Sequence, residues 1–121
     1  MTKEDYVSFG VAKLLILNGF EFNNKYHTYY TLGGVICNLN DSQKINIAPR
    51  VTHQMVMEWL RGTKGISIII EFNSEKKGYR SYVYRYEYTD MCWVMKWKLI
   101  TPTKCWEATE LAIKYSLENL I

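Results

Sequence analysis

The sequence predicts an α+β fold in which an antiparallel sheet carries helices packed on one face. Three observations predict it. Helical apolar spacing marks both ends of the chain and a short stretch near its middle; apolar–polar alternation runs through Ile66–Ile100, broken twice by turn residues; and no linker, repeat or low-complexity segment interrupts the chain. The predicted element order is α-β-β-α-β-β-β-α, in one domain over residues 1–121.

The first helix is expected over Tyr6–Asn18, where Phe9, Ala12, Leu15 and Ile16 share one side. Asp5 or Ser8 can cap its start, and Asn18-Gly19 stops it, because glycine takes the left-handed conformation at a helix end without steric cost. From Phe20 to Asn46 the β-prone residues Tyr26, Tyr29 and Tyr30 precede Gly33-Gly34 and the short run Val35-Ile36-Cys37, a pattern that reads as a hairpin. Thr52 caps a second helix running to about Arg61, with Val56, Trp59 and Leu60 on its apolar side and Gly62 and Gly65 closing it.

The strongest strand signal is Ile66–Asn73, where Ile66, Ile68, Ile70 and Phe72 alternate with Ser67, Glu71 and Asn73, leaving only Ile69 out of step. Ser74–Gly78 is a turn, Tyr79–Tyr88 its partner strand, Thr89-Asp90 a second turn, and Met91–Ile100 the third strand. A two-residue second turn sets Tyr82, Tyr84, Tyr86 and Tyr88 opposite Trp97, Met95, Trp93 and Met91. A five-residue first loop places Ile70 across from Tyr82 and Ile68 across from Tyr84. The isoleucine and aromatic rows then share one buried face, whereas a four-residue loop would leave one large apolar surface wet. Thr101-Pro102-Thr103 opens the last helix, whose stripe is Cys105, Ala108, Leu111, Ala112 and Tyr115.

Composition narrows the function classes. Of 121 residues, 48% are hydrophobic and 22% charged, an ordinary globular balance, while 15% are aromatic, suited to a sheet core or an interface. A net charge of +3 falls short of the basic stripe of a committed nucleic-acid binder. Cys37, Cys92 and Cys105 cannot all pair within one chain and have no metal-ligand spacing, so they read as reduced thiols of a cytoplasmic protein. No signal peptide or membrane-spanning run is expected, and neither a metal nor another cofactor is called for.

Each candidate site has a plain packing alternative. Tyr82, Tyr84, Tyr86, Trp93 and Trp97 could stack nucleobases, yet their alternation with Ser81, Arg85 and Glu87 favours a core on which the helices sit. Lys76, Lys77, Arg80 and Lys104 could contact phosphate, although lysines at a turn are commonly just solvated. His27 and His53 have no sequence-local nucleophile, so no catalytic residue is assigned and an enzyme is not expected. Tyr26, Tyr29 and Tyr30 are the candidate interface residues.

Two resemblances add to this reading. The stretch Ala48-Pro49, then Met57-Glu58-Trp59-Leu60-Arg61, Ile66-Ser67-Ile68, and the closing run from Trp106-Glu107-Ala108 through Ala112-Ile113-Lys114-Tyr115 to Leu120-Ile121 resemble small uncharacterised proteins of gut Bacteroidales bacteria and their phages. That resemblance covers most of the chain and implies a mobile-element origin, with no function to carry over. The predicted order α-β-β-β-α from Thr52 onward, with Ala108, Ala112 and Leu117 in the last helix, is similar to double-stranded-RNA-binding domains. Here the basic cluster of that domain's last helix is reduced to Lys104, and Ser74–Gly78 replaces its Gly-Pro-x-His loop. The expectation is a small non-enzymatic accessory or binding protein acting on a protein partner or on itself, with weak duplex-RNA binding as the second reading.

Overall fold

A computed structural model describes residues 5–20, 28–31, 34–38, 48–101 and 104–121. The fold is α+β, with three α-helices and antiparallel sheets. The chain divides into two compact units, 1–52 and 53–121.

In the N-terminal unit, α1 spans Phe9–Leu17. It starts later than the periodicity suggests because Ser8 takes extended backbone and its hydroxyl accepts the Val11 N–H at 3.2 Å. Val11, Ala12 and Leu15 are buried along one side of this helix. Strand β1 (Thr28–Tyr30) pairs antiparallel with β2 (Ile36–Asn38), as the hairpin reading expects, and on its other side with a two-residue strand, β3 (Ala48–Pro49), which the sequence pattern did not disclose. Tyr30 is buried, and its hydroxyl donates to the Val7 carbonyl at 2.6 Å.

The C-terminal unit opens with α2 (His53–Trp59), continued by a π-helical turn, Leu60–Lys64. Gly65 ends that turn at φ +65°, a conformation that costs an L side chain energy and glycine nothing. Next come β4 (Ile66–Asn73), β5 (Gly78–Glu87) and β6 (Cys92–Thr101), forming a three-stranded antiparallel sheet in the order β4-β5-β6, and then α3 (Cys105–Asn119).

Helix α3 crosses one face of this sheet. The approach is close because the facing residues are small: Ser81, Ala108, Ala112 and Ser116 are all fully buried, and the Ser81 hydroxyl donates to the Ala108 carbonyl at 2.9 Å. Ile66, Val83, Ile113, Val56 and Leu60 complete the core, and Trp97 stacks on Tyr115 with ring centroids 5.0 Å apart.

The register differs from the expected one in the first turn. Asn73 pairs with Gly78, so the loop is the four residues Ser74–Lys77, and Ile70 lies opposite Ser81, Ile68 opposite Val83 and Ile69 opposite Tyr82. The difference lies at the far end of the loop, where Gly78 joins β5 opposite Asn73 and Lys77 turns the chain in the left-handed region at φ +48°; within the turn the Asn73 side-chain oxygen accepts the Glu75 N–H at 3.2 Å. Ile66, Ile68 and Ile70 therefore lie on the face opposite Tyr82, Tyr84 and Tyr86.

At the second turn, Tyr86 pairs with Trp93 and Tyr84 with Met95, as expected, but the ladder starts at Glu87–Cys92, which leaves Tyr88–Met91 as the connection. A bulge leaves Lys96 unopposed between these pairs and Val83–Trp97. It carries Trp97 to the α3 side, away from the other aromatics.

These faces make a stability prediction. Ile66 is fully buried and Ile69 is 47% exposed. In urea unfolding, Ile66→Ala should cost about 2–5 kcal/mol, and Ile69→Ala, three residues along the same strand, about 0.5 kcal/mol.

Candidate functional site

The face of the C-terminal sheet opposite α3 gathers side chains from all three strands. β5 supplies Tyr82, Tyr84 and Tyr86, β4 supplies Ile69, and β6 supplies Trp93, Met95 and Ile100. The three tyrosines are half-buried, while Ile69, Trp93, Met95 and Ile100 are exposed. The rings contact one another in two groups along the strand: Tyr82 and Tyr84 lie 6.4 Å apart, and Tyr86 meets Trp93 edge-on at 5.4 Å and Tyr88 at 5.0 Å. Tyr88 and Met91 extend the row into the exposed turn.

Charge lies at the margin of this row. Lys98 sits 5.7 Å from the Tyr82 ring centroid, and the Tyr82 hydroxyl donates to Glu71 at 2.8 Å. Glu71 also faces Arg80 at 3.8 Å, so it draws on both the basic and the phenolic group. The face thus has an apolar, aromatic centre with a few charges at its edge.

The aromatic residues of the sequence reading thus separate. Tyr82, Tyr84, Tyr86 and Trp93 lie together away from α3, and Trp97 belongs to the packed side. The expectation that the whole set forms the floor beneath the helices is corrected by the four-residue turn.

The other predicted residues divide further. Tyr30 is only 8% exposed, its ring packed in the N-terminal unit and its hydroxyl bonded to the Val7 carbonyl. Tyr29 lies in β1, paired with Cys37 and Pro49. Tyr26, His27 and the Gly33 turn position fall outside the described residues. Lys76 and Lys77 are exposed in the β4–β5 turn, and Arg80 and Lys104 follow at the same end of the sheet, because Tyr79 pairs with Thr101 just before α3.

His53, without a partner in the local sequence, meets Glu110 of α3 at 2.5 Å from Nε2 to Oε2. Both side chains are largely buried, and the pair ties α2 to α3. A separate cavity of 230 Å³ lies between α2 and β4, lined by Gln54, Met57, Glu58, Arg61, Ser67 and Ile68. Neither His53 nor Glu110 lines it. Among the described residues, no three His, Cys, Asp or Glu side chains are grouped to hold a metal ion, and no helix is long and apolar enough to cross a membrane. Cys92 and Cys105 are free, exposed thiols.

Sequence reasoning passed over Ile69, Met95 and Ile100 as members of a surface. One signal was present: Ile69, an apolar residue at a position that alternation reserves for a polar one, marks a strand apolar on both sides. Compared with protein-family models, curated proteins and solved structures, the chain matches none.

On the α3 side, the Lys96 ammonium bonded at 2.8 Å to Glu87 holds that carboxyl below the usual carboxylate range; desolvation opposes this, and Arg85 at 3.3 Å adds to the lowering. A depressed carboxylate stabilises the fold above its unfolded-state pKa, and this contribution disappears as pH falls through the lower folded value. Lys96→Met should move the Glu87 midpoint up toward the ordinary range, as read by carboxyl-carbon NMR titration.

Proposed function

We propose that this chain is a small non-enzymatic binding protein that engages a protein partner through the sheet face opposite α3. The observation that carries the reading is the shared face of Tyr82, Tyr84, Tyr86, Trp93, Met95 and Ile69. Tyrosine, tryptophan and methionine are the residues that interface centres favour, and a contiguous exposed apolar patch usually marks a binding surface. Activity in the cytoplasm is consistent with the free thiols at Cys92 and Cys105. A mobile-element accessory role rests on the resemblance to the Bacteroidales and phage proteins alone.

The test is loss of partner binding with the fold retained. Tyr84→Lys combined with Trp93→Ser should weaken capture of the partner by about 2 kcal/mol or more, roughly thirtyfold in Kd, at unchanged circular dichroism and urea midpoint. Undiminished binding by this variant would remove the face from consideration.

A second reading, duplex-RNA binding, draws on Lys76, Lys77, Arg80 and Lys104 at one end of the sheet. It requires affinity that falls steeply with salt, because released counterions drive phosphate contacts. Reversing Lys76, Lys77 and Lys104 to Glu should then abolish binding of a short RNA duplex at low salt in a gel-shift titration. No binding by the unaltered chain under those conditions disposes of this reading.

A further inference from the structure

The two outer strands of the C-terminal sheet treat their free edges differently. β6 carries Lys96 and Lys98 and a bulge at Lys96, devices that discourage another strand from pairing. β4, with the sequence Ile-Ser-Ile-Ile-Ile-Glu-Phe-Asn, has no lysine, no proline and no bulge, and pairs regularly with β5 along its length. Such an edge is a ready template for a further strand.

The hydrogen-bond parity of β4 follows from one contact. The Tyr86 N–H donates to the Gly65 carbonyl at 2.9 Å, so Gly65 and every second residue after it, Ser67, Ile69 and Glu71, turn their main-chain groups toward β5. Ile66, Ile68, Ile70 and Phe72 turn theirs outward. Among the described residues, no strand pairs with that side. Phe72 is 59% exposed near the end of the same strand, and the 230 Å³ cavity lies beside its beginning.

We infer that β4 pairs antiparallel with β4 of a second copy of this chain, about a two-fold axis at Ile69, giving one continuous six-stranded sheet. In this register Ile68 of each copy exchanges main-chain hydrogen bonds with Ile70 of the other, and both are outward-facing residues, as parity demands. Ile69 meets its own copy, Ser67 lies opposite Glu71, and Ile66 lies opposite Phe72. Apolar side chains meet apolar ones, and no like charges are opposed. Phe72 of the second copy then lies on the α3 side, one diagonal step from Ile68, at the mouth of the cavity formed with Met57 and Gln54 of α2. The contact is isologous: each copy offers the same ring and the same cavity. It uses the edge of the sheet and shares only Ile69 with the aromatic face.

Sedimentation of the full chain through the micromolar range, with Cys37, Cys92 and Cys105 changed to Ser, tests this inference. A concentration-dependent dimer is expected. Ile69→Cys should yield a covalent dimer on mild oxidation, since non-hydrogen-bonded antiparallel pairs bring their Cβ atoms close enough for a disulfide. Lys98→Cys on β6 should not. Ile69→Lys, which sets two ammonium groups face to face at an exposed position, should leave a folded monomer and raise the dissociation constant at least about tenfold. A monomer at every concentration, or a dimer indifferent to Ile69→Lys, overturns the inference and leaves the face reading untouched. A dimer that crosslinks through Tyr84→Cys in place of Ile69→Cys overturns it in favour of the face.

Discussion

The four-residue turn between β4 and β5, in which the Asn73 side-chain oxygen accepts the Glu75 N–H, sets the arrangement of the C-terminal unit. With Asn73 paired to Gly78 and four residues between them, Ile66, Ile68 and Ile70 fall on the side of Val83 and Ser81, and Ile69 on the side of Tyr82. Because side chains alternate with a period of two, one residue more in that turn would exchange every side chain of β4 between the faces. Core, surface row and free edge all follow from that choice.

The buried side answers with small residues. Ser81 against Ala108, with Ala112 and Ser116 behind, lets α3 come close enough for the serine hydroxyl to reach a helix carbonyl. Tyrosines in those places would hold the helix away. The bulge at Lys96 completes the division by turning Trp97 toward Tyr115, where a large ring has room, while Met95 and Trp93 stay with the tyrosines. Two local irregularities, a side-chain-capped turn and one extra residue, thus separate an aromatic-rich sheet into a packing side and a presenting side.

His53 and Glu110 illustrate another kind of constraint. A histidine at the start of α2 and a carboxylate in the middle of α3 have no relation in the sequence, being 57 positions apart, yet they meet inside the unit. Burying a polar group is costly unless it is hydrogen-bonded, so each makes the other's position tolerable. The pair links the only two α-helices described in this unit, and it lies apart from both the α2–β4 cavity and the aromatic face.

Local chemistry carried the element types: Ser8 as a cap, Gly65 as a helix stop, the alternation of β4, the helical stripe of α3 and the β1–β2 hairpin are all readable from neighbouring residues. The two-residue strand β3 was not, since so short a segment is a strand only by virtue of the partner it pairs with. Nor was Tyr30 distinguishable from a surface tyrosine until its hydroxyl met the Val7 carbonyl. By itself the sequence determined an α+β chain with three antiparallel strands between its last two helices. Tertiary structure decided which side of those strands the helix covers, because one residue more or less in the β4–β5 turn and a single unopposed residue at Lys96 each shift register by one, and no hydrophobic pattern apolar on both faces can encode that parity.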